Sequence, residues 1–299
     1  MLISIVIPTY RRADMLSGLL DALAPQMMAE VEALVIDNDP AGSAADTAAR
    51  YGWLRYVHEP RPGVVHARNR GVAEARGGHV LFIDDDEVPS PGWLAAFAAL
   101  ARAGTTACFG RITPRFVAPP PPGLERMLAG LFSREIDADT GADITASWAY
   151  LGTGNAMFDR AVCFPDPEPF DLRFNQSGGE DIWMIRGLMA RGVRLIWNRE
   201  GLVDEIVPPG RMTLDYVRAR KFAHGQQRVI FNHRGGGLAG WARALPWMGI
   251  GLVQAAGFGA LALGLSAIGS PRALEARARA DAGRGKLMWR AAARTLYGN

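Results

Sequence analysis

The chain has 299 residues, enough for one large α/β domain with an appendage or for two modest domains. With 49% hydrophobic and 21% charged residues it is composed like a folded globular protein, which excludes a disordered chain. A net charge of +3 is too mild to imply a nucleic-acid partner, and the two cysteines, Cys108 and Cys163, lack the spacing of a disulfide framework or a structural zinc site.

The N-terminal MLISIVIPTYRR is a short apolar run without a basic leader, so residues 2–8 are expected to form a first strand rather than a signal peptide. The catalytic part is accordingly expected in the cytoplasm. Amphipathic spacing predicts a helix over 13–24, and VEALVID at 31–37 reads as a second strand. That strand ends in Asp37-Asn38-Asp39-Pro40, a turn-forming cluster. A short helix is expected over 46–51, a strand over 54–58, a helix over 63–76 and a strand over 79–83. Pro91 in a first turn and Gly104 beyond a last turn predict a helix over 91–103. Strands separated by helices imply a doubly wound, mostly parallel α/β sheet with helices on both faces.

The proline run at 119–122 predicts a surface loop, and residues 147–204 regain α/β character. A basic amphipathic helix is expected over 216–232, then a hinge at Gly235-Gly236-Gly237, a charge-free run over 244–268 and an Arg-rich tail. The expected division is therefore a catalytic domain over 1–215 and a helical region over 216–299.

Ligands of doubly wound sheets sit beyond the carboxyl ends of the strands. Three such ends turn polar after an apolar run: Thr9-Tyr10-Arg11, Asp37-Asn38-Asp39 and Asp84-Asp85-Asp86. One acid in the last run would suffice to cap a helix. Adjacent acids repel one another, so the run favours a hard divalent cation, which takes oxygen ligands.

These ends, together with Ala67-Arg68-Asn69-Arg70-Gly71, Gly152-Thr153-Gly154-Asn155-Ala156 and Gly178-Gly179-Glu180-Asp181, resemble the family 2 glycosyltransferases of the GT-A fold. The resemblance covers residues 2–215, with six elements in the family's order. It implies an inverting transferase that uses a nucleotide-sugar donor and Mg²⁺ or Mn²⁺. Pro8, Thr9 and Arg11 would then line the nucleotide pocket, Asp37 would read the base, and Asp39 and Asp85 would complete the donor site. Arg68 would approach the diphosphate or base. Asp84 and Asp86 would be the outer acids of a DxD motif, Asp84 on the donor's ribose or sugar and Asp86 on the metal. Asp181 would be the general base, with Glu180 beside it. The family's histidine after the last catalytic strand is missing here, so Glu205 is a candidate oxygen ligand and Arg211 a candidate diphosphate contact.

Each reading has a plainer rival. Asp37-Asn38-Asp39-Pro40 could be only a turn, Arg68 and Arg70 a solvated helix face, Glu180 and Asp181 helix caps, and Trp148 and Trp183 core residues rather than sugar platforms.

The run over 244–268 is long enough to span a bilayer, although Gln254, Pro246 and many Gly and Ala moderate it. Gly249, Gly251, Gly257 and Gly259 would permit close helix contacts in a membrane. Arginines on both flanks, among them Arg228, Arg234, Arg243 and Arg272, leave its orientation open. Membrane association, spanning or peripheral, at the cytoplasmic face is the expectation. It suits a glycan or polyprenyl-lipid-linked acceptor in surface-polysaccharide assembly. A sugar nucleotidylyltransferase is the rival enzyme, but the first strand is followed by no Gly-rich basic loop. A non-catalytic glycan- or lipid-binding scaffold would need no base, and an oxidoreductase would need a GxGxxG.

Overall fold

The computed structural model describes residues 2–166, 168–175, 178–233 and 236–291; Arg234 and Gly235 lie outside them. The chain forms two compact units, Met1–Arg115 with Ser133–Ile206 and Phe116–Phe132 with Val207–Asn299.

The first unit runs β1 (Ile3–Thr9), α1 (Ala13–Leu23), β2 (Val31–Asp37), α2 (Ala45–Ala48), β3 (Leu54–His58), α3 (Val64–Glu74) and β4 (His79–Phe82). It continues through β5 (Glu87–Pro89), α4 (Trp93–Arg102) and β6 (Ala107–Phe116). After α5 (Glu125–Phe132), which belongs to the second unit, come β7 (Ala156–Asp159), α6 (Arg160–Cys163), α7 (Glu180–Ala190) and β8 (Ile196–Val207). The strands form one sheet in the order β3-β2-β1-β4-β7-β6-β8-β5. β3, β2, β1 and β4 pair in parallel, and β7 then runs antiparallel to both β4 and β6.

Both faces of this sheet are covered, as the continuous apolar strands require. Val6, Leu34, Ile36, Val80 and Phe82 point into one core with α3 and α7. Ile5, Ile7, Val35, Leu81 and Ile83 point into the other, against Leu16 and Leu20 of α1 and Trp93 and Phe97 of α4. The alternation follows from the two-residue period of a strand. Helix α3 lies so close to β1 that a Cβ at Gly71 would stand 2.3 Å from Val6 Cγ1. This contact fixes the helix that carries Arg68.

The predicted strands over 31–37 and 54–58 are reproduced, and helices α1 and α3 fall within their predicted spans. The helix expected from 91 starts at Trp93, because Gly92 takes a left-handed conformation (φ 86°) at its N-cap. Two strands were not foreseen. β5 is three residues long and ends in a proline, which an edge strand tolerates. β6 contains Gly110 and Pro114, residues that weaken a strand signal. Gly110 is needed because a Cβ there would meet Gly201 O at 2.3 Å.

The second unit contains α5, α8 (Leu214–His233), α9 (Gly237–Ala267) and α10 (Arg272–Leu287). Leu128, Phe132, Met212, Val217 and Ala278 share its core. α9 contains nearly all of the predicted apolar run, with Pro246 inside it, and is long and apolar enough to cross a membrane by length and composition, with a mean hydropathy of 1.7 over its most apolar 18 residues. Gly236 and Gly237, both at positive φ, form the described part of the expected hinge. The Arg-rich tail lay within the expected helical region, with no helix of its own delimited there. It becomes α10, whose buried face is mainly alanine and glycine.

Candidate active site

The carboxyl ends of β1 and β2 are in register at Thr9 and Asp37, with Pro8 buried one residue earlier. Asp37 is fully buried and accepts hydrogen bonds from the Asp39 and Ala44 amides and from Tyr56 Oη, at 3.1, 2.7 and 2.9 Å. Its carboxylate thus holds the turn together. Burial, then the bond to Asp37, pushes the Tyr56 phenol up to about 12. Arg11 adopts a left-handed conformation (φ 54°) and donates to Asp39 Oδ1 at 3.2 Å. That bond holds Asp39 below the ordinary carboxylate range. Arg11 remains 61% exposed, a cation presented to solvent.

The acidic run divides its labour. Asp85 is buried, accepts from Thr9 Oγ1 at 2.8 Å and from Arg12 Nη1 at 2.9 Å, and is pushed by burial up to about 6. Asp86 is also buried, with Oδ2 3.1 Å from the same Arg12 nitrogen. Asp84 points elsewhere. Its side chain is 39% exposed, with Oδ1 3.5 Å from Arg68 Nη2.

Arg68 is buried and also donates to Glu180 at the first turn of α7. The solvated-face reading therefore fails for Arg68 and holds for Arg70, which is 44% exposed and paired with Glu74. Burial, reinforced by Asp181, raises Glu180 to about 7, while Arg68 pulls it down. Among the described residues, Glu180 Oε2 has no hydrogen-bond partner. The N-cap of α7 is Gly179, without a side-chain cap; Asp181 Oδ1 accepts from the Ile182 amide.

A short strip of backbone, Gly152-Thr153-Gly154, draws these groups together. A Cβ at Gly152 would stand 2.9 Å from Asp181 Oδ2, and one at Gly154 would stand 2.8 Å from Asp84 Oδ2 and 3.0 Å from Glu87 Oε1. Only glycine admits two carboxylates so close to the chain. Asn155 anchors the strip. It accepts from Trp93 Nε1 and donates to the Arg111 and Gly201 carbonyls, each at 2.8 Å.

Three participants carried no assigned role in the sequence reading. Glu87, last of the four acids, pairs opposite Glu205 across β5 and β8. Burial, with Asp84 and Glu205 nearby, raises it well above the usual carboxylate range. Its place at the end of the acidic run was the available signal. Arg134 donates to Gly154 O at 2.7 Å, and Glu87, Asp181, Glu205 and Asp84 all offset the burial that lowers its pKa. Nothing local in the sequence marks it, since its backbone reaches the site through a bridge to Ile112. Arg12 is the third. Trp148 packs against the core under Arg186, and Trp183 stacks on Phe174 at 6.0 Å. Arg211 lies in the second unit, in the turn Pro209–Arg211.

The Glycosyl transferase family 2 model matches residues 4–163. The chain belongs to this family. The transferase is 29% identical over 232 residues to the succinoglycan biosynthesis protein ExoM of Rhizobium meliloti (strain 1021), covering 75% of this chain and 73% of that protein. It is 25% identical over 189 residues to the uncharacterized glycosyltransferase EpsJ of Bacillus subtilis (strain 168), covering 57% of this chain and 55% of EpsJ. Its fold matches the crystal structure of S. aureus TarS 1–349 in complex with UDP-GlcNAc, with a TM-score of 0.55 and 16% identity, over 97% of this chain and 92% of that one. The mixed, partly parallel sheet with helices on both faces is thus the GT-A fold.

Enzymes of this family commonly use divalent cations. Among the described residues, no three His, Cys, Asp or Glu side chains converge as a preformed shell. Mg²⁺ often takes only one or two carboxylates and completes its shell with substrate phosphates and water. The transferase fits that pattern. Asp84 offers a partly exposed carboxylate, and the Glu87 carboxylate lies against the same glycine, Gly154.

Proposed function

We propose that the transferase moves a sugar from a nucleotide-diphosphate donor, specifically a UDP-sugar, to a hydroxyl of a glycan or lipid-linked acceptor, with inversion, in surface-polysaccharide assembly. The observation that carries this reading is Arg68, which bonds to Glu180 and approaches Asp84 and so joins the two acidic motifs in one site. The relatedness to ExoM supports a polysaccharide product, and the fold shared with a UDP-GlcNAc complex supports a UDP-linked donor.

Asp181 acts as general base: it takes the acceptor proton as the hydroxyl oxygen bonds to the anomeric carbon and the bond to the diphosphate breaks. Such a base contributes ~10²–10⁴-fold. Arg134 stands with Asp181 against Gly152, and Arg68 holds Glu180 at the same helix start. Pro8, Thr9, Arg11, Asp37, Asp39 and Asp85 form the donor end, where the exposed Arg11 guanidinium meets the negative charge of the nucleotide. When bound, Mg²⁺ or Mn²⁺ stabilises the leaving diphosphate as a Lewis acid. Asp84, Asp86 and Glu205 are the candidate ligands, and Arg211 is the candidate diphosphate contact. The enzyme works at the cytoplasmic face of the cell membrane.

The test supplies radiolabelled UDP-sugars, Mn²⁺ and a bacterial lipid extract to the full chain. Label in the glycan or lipid fraction with release of UDP is expected. Conversion of the UDP-sugar and added pyrophosphate to UTP and sugar 1-phosphate, or no transfer from any UDP-sugar, would overturn the reading.

A further inference from the structure

We infer that α8, α9 and α10 form a platform that lies in the plane of an anionic bilayer, with α9 as an interfacial helix rather than a membrane span. This deepens the membrane association proposed above and does not depend on the sugar chemistry. Charge provides the first argument. Residues 207–299 carry 14 Lys and Arg against 3 Asp and Glu, leaving 19 against 27 in residues 1–206. A cationic segment of this kind is what anionic lipid headgroups attract.

The two sides of α9 provide the second. At 31 residues and ~1.5 Å per residue, α9 exceeds the ~30 Å hydrocarbon thickness. Leu238, Leu245, Leu252 and Leu263 are 91%, 55%, 61% and 75% exposed and share one face at ~100° per residue, and the exposed Val253, Ile250 and Leu261 carry the apolar surface on round the side opposite the buried residues. The other side is covered by α10, packed so closely that a Cβ at Gly283 would stand 2.5 Å from Ala255 N and 2.7 Å from Gly251 O. Of the four glycines expected to permit helix contacts in a membrane, Gly251 packs on α10, where a Cβ would stand 2.7 Å from Lys286 Cβ, while a Cβ at Gly249, Gly257 or Gly259 would meet nothing within 4 Å.

Through that contact α10 lays cations along α9. Lys286 Nζ donates to Gln254 at 2.6 Å, Arg279 stacks 5.3 Å from the Phe258 ring, and Arg277 donates to Ser266 at 2.9 Å. A spanning α9 would carry these groups into hydrocarbon, where charged side chains are strongly disfavoured. An interfacial α9 buries its leucine face and leaves the cations among headgroups. Arg126, Lys221 and Arg279 also line a pocket with Glu275, over Met127 and Ala278, that suits a lipid phosphate.

The full chain is sedimented with phosphatidylcholine vesicles and with 70:30 phosphatidylcholine–phosphatidylglycerol vesicles. We expect at least tenfold stronger binding to the anionic vesicles, loss in high salt and release by alkaline carbonate. L252E/L263E should lose at least tenfold of the vesicle binding, and K221Q/R279Q should lose the preference for phosphatidylglycerol. Circular dichroism checks that both variants remain folded. Carbonate-resistant binding would overturn the in-plane mode while leaving membrane association standing; absence of binding to either vesicle would overturn both. Equal binding to the two vesicles, or undiminished binding by L252E/L263E, would also overturn the inference. So would a dimer in light scattering that L252E/L263E abolishes without vesicle binding, since a second copy would then cover the leucine face.

Discussion

Replacing Arg68 with methionine removes the guanidinium between Glu180 and Asp84 while keeping most of the side-chain stem. Removing one partner of a buried ion pair costs ~3–5 kcal/mol, because the other charge is left in a poor solvent. Here the charge left behind is Glu180, 5% exposed and already raised to about 7 by burial with Arg68 in place. Arg68 lowers that pKa, so the variant's folded-state value is higher still, while the unfolded carboxyl stays near ~4.3. Between those values the folded state holds a proton that the unfolded state has released, so this group's contribution to stability falls as pH rises. Above pH 7 wild type releases the proton and the variant keeps it. The gap between them therefore widens by about 1.4 kcal/mol per pH unit. Urea denaturation at pH 6 and pH 8 measures this, with E180Q as the background in which the widening must vanish. A gap independent of pH, or below about 1 kcal/mol at pH 8, would refute the buried pair.

Asp181→Asn should lower kcat by ~10²–10⁴-fold while a UDP-sugar still raises the melting temperature as in wild type; unchanged kcat removes Asp181 as the base. Gly154→Ala places a methyl 2.8 Å from Asp84 Oδ2. Its circular dichroism should match wild type and kcat/KM should fall ~10–100-fold, the scale expected of a small misplacement; full activity would show that Asp84 need not hold this position. Glu205→Ala should raise the Mn²⁺ concentration for half-maximal rate, and Arg211→Ala should raise the donor KM. If both titrations match wild type, neither residue belongs to the site.

Much of the parallel half was legible because its signals are local. The apolar runs of β1, β2 and β4 and the helical spacing of α3 are complete within a few residues of chain. Pairing β6, β7 and β8 depends on long-range contacts and on glycine where backbones meet, so no local window showed it. The acidic run was visible, but not how its members differ: Asp85 and Asp86 turn to Arg12, and Asp84 turns to Arg68.

From its residue types and their order alone, the chain determined an α/β sheet with polar strand ends, an acidic run, a glycine strip and a basic, apolar C-terminal region. Tertiary structure decided which charges meet. Arg68 reaches Glu180 across 112 residues of chain, and Glu87 faces Glu205 only through the register of β5 on β8. Those encounters are set by packing between elements, and packing brings together residues whose separation along the chain carries no sign of it.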